Sequence, residues 1–222
     1  MPSFFKKEDT LLTPANCSLL LIDYQPQMLF SVKSIDSEAL VNNAVALAKS
    51  GKTFKIPMIV TSTSQKNLNG PIFAPLQRVL SHLPMMSRTT LNAWEDVRIV
   101  EAVRKTKREK LIIAGLWTEV NVVMPALKAL EDGYTTYVVA DACGGATTIA
   151  HQMAMQRMIQ AGVVPITWLQ FLFELQRDWA RQDTYLEVLN IATEHAGVYG
   201  IGVDQTGLTE GASPIEEAPF VI

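Results

Sequence analysis

Strand-like segments alternate with helix-like segments along the chain. The strand-like segments lie at 18–22, 57–62, 84–88, 111–115, 135–140 and 163–167, and most are continuous apolar runs, typical of strands buried on both faces. Apolar residues recur at helical spacing at 37–54, 72–83, 96–105, 118–133, 148–161, 169–180 and 184–195. This alternation predicts a doubly wound α/β fold, with three α/β/α layers around a six-stranded parallel sheet of order 3-2-1-4-5-6.

Residues at the segment boundaries indicate where helices begin and where the domain ends. Ser37 is expected to cap the first long helix, and Thr118 the helix after the fourth strand. One domain is expected at 17–196, preceded by an arm at 1–16 that is either mobile or docked. The segment 197–222 is rich in Gly and Pro, which predicts an extended tail.

Polar residues follow three strands that the predicted order places near one another. Asp23 follows strand 1, Arg88 ends strand 3, and Trp117 to Asn121 follow strand 4. The chain reverses direction between strands 1 and 4, and ligands bind outside the carboxyl ends of strands at such a point. The position of these residues therefore predicts a ligand-binding site, whose walls would be Trp117 and Trp94. The alternatives are that Asp23 caps a turn, that Arg88 lies at the surface or an interface, and that the tryptophans fill the core.

Position 121 is the place where a nucleophile would be expected. The run from Leu111 ends at Gly115, and a helix follows it. A helix start has unpaired N–H groups and the positive end of the helix dipole, which hold negative charge or lower the pKa of a thiol. This sequence has Asn121 there, either as a structural residue or as one that orients a ligand.

Composition and charge exclude several classes of function. The net charge of −3 gives no basic footprint for nucleic acid, and no run of about 18 apolar residues predicts a membrane span. The N-terminus has no apolar core of a secretory signal, so the protein is expected in the cytoplasm. No glycine-rich phosphate loop follows strand 1, and the three histidines lie far apart, so neither a cofactor nor a metal is expected.

The two cysteines, Cys17 and Cys143, do not form a disulfide framework, which also favours a reducing compartment. Cys17 is expected to be buried at the start of strand 1, and Cys143 to lie in a tight glycine-rich turn. Cys143 is the one conceivable substitute for a nucleophile at position 121. A small residue filling that turn is the favoured interpretation.

Five motifs together resemble the isochorismatase-like hydrolases, also called the cysteine hydrolase superfamily, from about residue 10 to about residue 200. The motifs are Leu20-Leu21-Ile22-Asp23-Tyr24-Gln25, Asn69-Gly70-Pro71, Arg88-Thr89-Thr90-Leu91-Asn92-Ala93-Trp94, Ala114-Gly115-Leu116-Trp117-Thr118-Glu119-Val120 and Asp141-Ala142-Cys143-Gly144. The branch that they most resemble contains octameric bacterial hydrolases of unknown substrate. Nicotinamidases are a weaker match, because Thr61-Ser62-Thr63-Ser64-Gln65 replaces their histidine-containing metal loop.

The resemblance implies a role for each residue of the predicted site. Asp23 would be the acid that takes a thiol proton, and Arg88 would stand where the family usually has Lys. The family's nucleophilic Cys falls on Asn121, and a carboxamide cannot be activated as a thiol can. N–H groups of Trp117 and residue 121 would form the oxyanion hole, shaped by a cis Leu116–Trp117 bond. Tyr24, Trp94 and Leu116 would line the pocket.

Three functions remain open from the sequence. The protein is an enzyme that acts without covalent catalysis on a small carbonyl, amide or vinyl-ether compound, or it binds such a compound without turnover, or it is an inactive assembly subunit. The apolar segment 168–175, which is either core or interface, and the family branch predict a homo-oligomer, either an octamer or a smaller even-numbered assembly.

Overall fold

In the computed structural model, which describes residues 10–63 and 70–205, six parallel strands form one sheet of order β3-β2-β1-β4-β5-β6. The strands are β1 (Cys17–Ile22), β2 (Met58–Thr63), β3 (Met85–Arg88), β4 (Lys110–Gly115), β5 (Thr135–Val139) and β6 (Val164–Ile166). The predicted fold class and strand order are confirmed. Every residue of β1 and β4 is buried, as expected for the two central strands of a sheet covered on both faces.

Nine α-helices lie in the described ranges. They are α1 (Pro26–Leu29), α2 (Ser37–Thr53), α3 (Ala74–Leu80), α4 (Val97–Lys105), α5 (Val123–Glu131), α6 (Thr148–Ala161), α7 (Trp168–Gln176), α8 (Gln182–His195) and α9 (Val198–Gln205). A π-helical turn at Thr118–Val122 precedes α5. Short 3₁₀ turns occur at Ala93–Glu95 and Ala140–Ala142.

Both predicted helix caps were wrong. The cap of α2 is Asp36, whose carboxylate accepts a hydrogen bond from the Ala39 N–H at 2.9 Å, so Ser37 is the first helical residue. Thr118 begins the π-helical turn, and its hydroxyl lies 2.8 Å from Nδ1 of His151 instead of bonding to its own helix. At α2 a different side chain supplies the cap, whereas the π-helical turn and α5 have no side-chain cap among the described residues.

Helix ends also differ from the prediction. The segment 72–83 is helical only at Ala74–Leu80, and the segment 169–180 forms the shorter α7. Helix α7 begins after Thr167, whose hydroxyl accepts a hydrogen bond from the Gln170 N–H. It ends before Arg177, whose left-handed backbone (φ 57°) stops the helix. Phe171, Leu172 and Leu175 of α7 are fully buried, so this apolar face is mainly core.

The two flanking segments are partly described. Leu12 is fully buried, and the hydroxyl of Tyr137 donates to the Thr10 carbonyl at 2.9 Å, so residues 10–16 of the arm dock on the sheet. The expected extended tail was wrong for Val198–Gln205, which form α9. Residues 1–9 of the arm, 64–69 (which include Ser64, Gln65 and Asn69 of the motifs) and 206–222 of the tail lie outside the described residues.

Gly115 allows β1 and β4 to pair at the edge where the site lies. The register places Ile22 opposite Gly115, and a Cβ on Gly115 would lie 2.3 Å from the Ile22 carbonyl oxygen. No side chain can be tolerated at that distance without moving the backbone. The glycine at the end of the apolar run therefore serves strand packing.

Candidate functional site

Asp23 lies immediately after β1 and is completely buried. Its backbone is left-handed (φ 56°), a conformation that Asp tolerates better than most residues. Oδ1 accepts hydrogen bonds from the Thr63 N–H at 2.6 Å and from Nη1 of Arg88 at 2.9 Å, and Oδ2 accepts one from Nη2 of Arg88 at 2.5 Å. The left-handed turn thus directs the carboxylate across β2 to the end of β3.

Arg88 is buried beside Asp23, with a relative exposure of 2 %. The pairing of Thr63 with Arg88 in the β2–β3 register brings the guanidinium to the carboxyl edge of the sheet. Nη1 also donates to the Thr61 hydroxyl at 3.2 Å and Nη2 to the Leu91 carbonyl at 3.3 Å. Nε is buried and has no hydrogen-bond partner among the described residues. A surface position for Arg88 is therefore excluded in this chain.

Asn121 is buried in the π-helical turn, with a relative exposure of 2 %. Its Nδ2 donates to the Leu116 carbonyl at 2.9 Å, which fixes the orientation of the amide. Oδ1 is buried and accepts no hydrogen bond from the described part of the chain. The side chain therefore presents an unused acceptor.

The backbone N–H groups of the expected oxyanion hole have different surroundings. The Asn121 N–H donates to the Trp117 carbonyl at 2.9 Å, within the π-helical turn. The Trp117 N–H has no acceptor among the described residues, and the Leu116–Trp117 peptide bond is cis. The donor with spare capacity is therefore that of Trp117.

The predicted convergence of Asp23, Arg88 and Asn121 is direct for the first two residues. Asn121 is connected to them through Leu116, whose carbonyl it binds and whose N–H donates to the Ile22 carbonyl at 3.0 Å. No hydrogen bond between Asn121 and either member of the ion pair occurs in the described residues. The carboxamide therefore bonds to the backbone at the β1–β4 edge.

The expected wall residues occupy distinct places. Tyr24 is buried, donates its hydroxyl hydrogen bond to the Ala142 carbonyl at 2.6 Å, and has a pKa raised well above 10.0 by burial. The Trp117 indole N–H donates to the Ser31 hydroxyl at 2.9 Å. The Trp94 indole N–H instead donates to Asp132 at 3.0 Å, which directs that ring toward the end of α5.

Sequence reasoning missed three supports of the site. The Thr63 N–H and the Thr61 hydroxyl both hold the ion pair, because β2 lies between the strands that carry Asp23 and Arg88. Gln25 is fully buried and its Nε2 donates to the carbonyls of Thr63 (3.1 Å) and Gly70 (2.6 Å). A polar residue two positions after Asp23, within an otherwise buried stretch, was the available signal.

Neither cysteine has the surroundings of a nucleophile. Cys17 and Cys143 are both buried and free, and burial raises the pKa of each thiol to about 12. The thiolate is the reactive form of cysteine, so both are poorly reactive near neutral pH. The favoured interpretation of Cys143 as a small residue in a turn fits these surroundings.

Residues 10–63 and 70–205 contain neither a membrane-spanning helix nor a metal-binding cluster. No helix in those ranges combines the length and apolar character needed to cross a membrane. The same ranges contain no group of three or more His, Cys, Asp or Glu side chains placed to hold a metal ion.

Comparison with known proteins gives a consistent match. A model of the isochorismatase domain matches residues 17–170. The probable hydrolase YcaC of Escherichia coli is 38% identical over 165 residues, which cover 74% of this chain and 79% of that protein. Isochorismatase family protein 2A of Dictyostelium discoideum is 30% identical over 154 residues, covering 66% of this chain and 75% of that protein.

Two solved structures are similar over nearly the whole chain. YcaC from Pseudomonas aeruginosa, with hexane-2,5-diol and covalent acrylamide, has a TM-score of 0.85 and 31% identity, covering 90% of this chain and 98% of that one. The YcaC gene product of Escherichia coli, described as an octameric hydrolase of unknown specificity, has a TM-score of 0.84 and 34% identity, with the same coverage.

Proposed function

The chain belongs to the isochorismatase family of hydrolases, and we propose that it acts on a small carbonyl, amide or vinyl-ether compound without a covalent bond to residue 121. The observation that carries the proposal is the buried Asn121 amide, which is fixed through Nδ2 while Oδ1 is unused. A carboxamide has no thiol chemistry, but it is a good hydrogen-bond acceptor and donor.

Among the three compound classes, the site favours a primary amide. An N–H of the ligand would satisfy Oδ1 of Asn121, and the ligand carbonyl would accept from the unused Trp117 N–H. Leaving a buried polar group unsatisfied costs about 1–3 kcal/mol, so a ligand that supplies the missing hydrogen bond gains affinity over one that cannot. An ester of the same shape has no N–H to offer Asn121.

Asp23 is the group proposed to take a proton. A carboxylate has about four lone-pair positions. Arg88 and the Thr63 N–H occupy three of them, two on Oδ1 and one on Oδ2. The remaining lone pair of Oδ2 would accept a proton from a water molecule as its oxygen attacks the carbonyl carbon. The proton would then pass to the leaving nitrogen, giving a carboxylic acid and ammonia.

The experiment is a turnover screen of small primary amides, matched esters and vinyl ethers on the untreated protein. We expect amide hydrolysis that survives iodoacetamide and falls by a factor of about 100 or more in Asp23→Asn, in line with loss of a general base. Asp183→Asn, at an exposed carboxylate in the first turn of α8, is the matched control and should keep full activity. Loss of turnover on alkylation would contradict the proposal.

A second function, ligand binding without turnover, is supported by the three hydrogen bonds that already hold the Asp23 carboxylate. Thermal shift with the same amides separates the two functions. Stabilisation by amides without any product would favour binding alone. Absence of both stabilisation and product would favour the third alternative, an assembly subunit, over either.

We further propose that the protein is a homo-oligomer, as the octameric relative from Escherichia coli is. Ile149 and Met153 are one helical turn apart on α6 and are 70% and 51% exposed, a surface suited to contact with another copy. Light scattering should return a multiple of the 24.5 kDa chain mass, and a single-chain mass would contradict this. A cytoplasmic location is part of the proposal and rests on the two free, buried cysteines.

A further inference from the structure

A groove between α2, α3 and the end of α8 lies apart from the Asp23–Arg88–Asn121 site. Its volume is about 810 Å³, within the range of small-molecule pockets, and none of those three residues lines it. Its apolar wall includes Val41 and Val45 of α2 and Val79 of α3. All three are buried or half-buried and leave part of their surface to the groove.

A polar cluster forms the other side of the groove. Nδ2 of Asn42 donates to the His195 carbonyl at 2.9 Å, which orients the amide so that Oδ1 lies 2.7 Å from Nδ1 of His195. Nδ1 must then carry the hydrogen, and Nε2 accepts from Nζ of Lys49 at 3.0 Å. His195 is thus a neutral imidazole, and burial together with the nearby Lys49 charge lowers its pKa.

The cationic side chains of the groove lie toward one of its ends. Lys49 and Lys52 are close to the last turn of α2, and Arg78 is in the last turn of α3. Both helices connect parallel neighbouring strands, so both run back in the same direction and end at the same edge of the sheet. Lys52 and Arg78 have no ion-pair partner among the described residues.

The acidic residues of the groove compensate the charge of Lys49 but not the charges of Lys52 and Arg78 among the described residues. Glu194 forms an ion pair with Lys49 at 2.5 Å, which uses one of three Nζ donors, and His195 accepts a second. The third donor of Lys49 is left for a ligand. Glu38 is in the first turn of α2 and Lys52 in the last, so about 21 Å of helix separates them. The groove therefore has an apolar wall and one basic end.

We propose that this groove binds a small amphiphilic carboxylate. Its apolar chain would lie along Val41, Val45 and Val79, and its carboxylate would bind Lys49, Lys52 and Arg78. The basic end of the groove favours a ligand with an anionic head group. The apolar wall favours a ligand that also has a hydrocarbon chain over a small polar anion. The ligand is held without a covalent step.

Calorimetry on the full chain, with decanoate below its micellar concentration, tests the proposal. We expect saturable binding of decanoate, at least tenfold weaker binding of decanol, which has the chain without the charge, and no binding of acetate. Lys52→Gln and Arg78→Gln change exposed side chains, so the fold should be unaffected, and each should weaken decanoate binding at least fivefold. Lys105→Gln, an exposed lysine in the last turn of α4, is the matched control and should bind as the original chain does.

Several results would overturn the proposal. Equal affinity for decanoate and decanol would mean that the basic end does not recognise the head, and no binding would exclude this ligand class. Light scattering on the same variants supplies a second readout. If Lys52→Gln or Arg78→Gln changes the assembled mass, the groove is covered by a second copy of the chain, and the ligand site is excluded.

Discussion

The guanidinium of Arg88 holds both carboxylate oxygens of Asp23, with Nη1–Oδ1 at 2.9 Å and Nη2–Oδ2 at 2.5 Å, and neither side chain is exposed to solvent. A two-point contact of this kind fixes the plane of the carboxylate as well as its position. The pair therefore determines where the one remaining lone pair of Asp23 points. Stability and any chemistry at the site depend on the same contact.

Removing one partner of this pair should destabilise the protein strongly. Arg88→Met keeps the length of the side chain but leaves the Asp23 carboxylate buried without a counter-charge, which typically costs about 3–5 kcal/mol. The measurement is the free energy of unfolding from urea titration. The double variant Asp23→Leu with Arg88→Met removes both charges and should lose less than the sum of the two single losses.

The exposed pair Arg98–Asp96 is the control for that experiment. Its closest N–O distance is also 2.5 Å, but 60% of the Arg98 side chain is exposed. Arg98→Met should leave the urea midpoint almost unchanged, since exposed pairs contribute little. Equal losses for Arg88→Met and Arg98→Met would show that burial does not control the strength of the Asp23 contact.

Gly115→Ala should destabilise the sheet where β1 meets β4. The added Cβ would lie 2.3 Å from the Ile22 carbonyl oxygen, a backbone atom that cannot move without opening the strand pair. Overpacking typically costs about 1–3 kcal/mol, and a backbone clash belongs at the upper end of that range. Gly202→Ala is the control, because its Cβ would meet nothing within 4 Å. Thermal unfolding of both variants should show a loss for the first alone.

The fold could be predicted from the sequence because strand–helix alternation and right-handed connections leave few arrangements of the sheet. Asp23 and Arg88 could be identified as candidate site residues, because both lie at the carboxyl ends of strands. The Thr63 N–H that helps to hold Asp23 could not, because a backbone donor carries no sequence signal. The π-helical turn that orients Asn121 could not be predicted either, because it inserts an extra residue into a helical start and contacts His151 of a helix distant in sequence.

Acidification below about pH 6.5 should reduce stability through two histidines. Burial is the largest cause of the lowered pKa of both His151 and His195, and the Lys49 charge adds to it for His195. The unfolded chain, with ordinary histidines, binds protons first as the pH falls, so folding loses free energy between pH 6.5 and each folded-state pKa. Above about pH 7 this contribution is constant.

The pH effect can be assigned by mutation. His195→Gln removes one titrating group and should reduce the slope of unfolding free energy against pH between 5.5 and 6.5, at most by about 1.4 kcal/mol per pH unit. His82→Gln, at an exposed histidine outside the Asn42–His195–Lys49 cluster, is the comparison. An unchanged slope in His195→Gln would mean that the Asn42–His195–Lys49 cluster opens before the imidazole titrates.

Asn121→Cys should create the one reactive thiol of the protein. The new side chain would lie two residues before α5, near the positive end of its dipole, which favours a thiolate, whereas the burial of position 121 opposes it. The balance should place its pKa below the free value of about 8.5, while burial holds the thiols of Cys17 and Cys143 at about 12. Mass spectrometry at pH 7 should show one alkyl group added at position 121 well before either native cysteine reacts.

Acrylamide is a suitable probe of this variant, because it is a small primary amide whose alkene reacts with a thiolate. The thiolate sulfur would add to the terminal alkene carbon, and a proton would complete the adjacent carbon, so one intact acrylamide is gained. If Asp23 accepts the thiol proton, Asn121→Cys combined with Asp23→Asn should label several times more slowly. Labelling at the rate of free cysteine, and unchanged by the Asp23 substitution, would show that Asp23 and the π-helical turn no longer act together on residue 121.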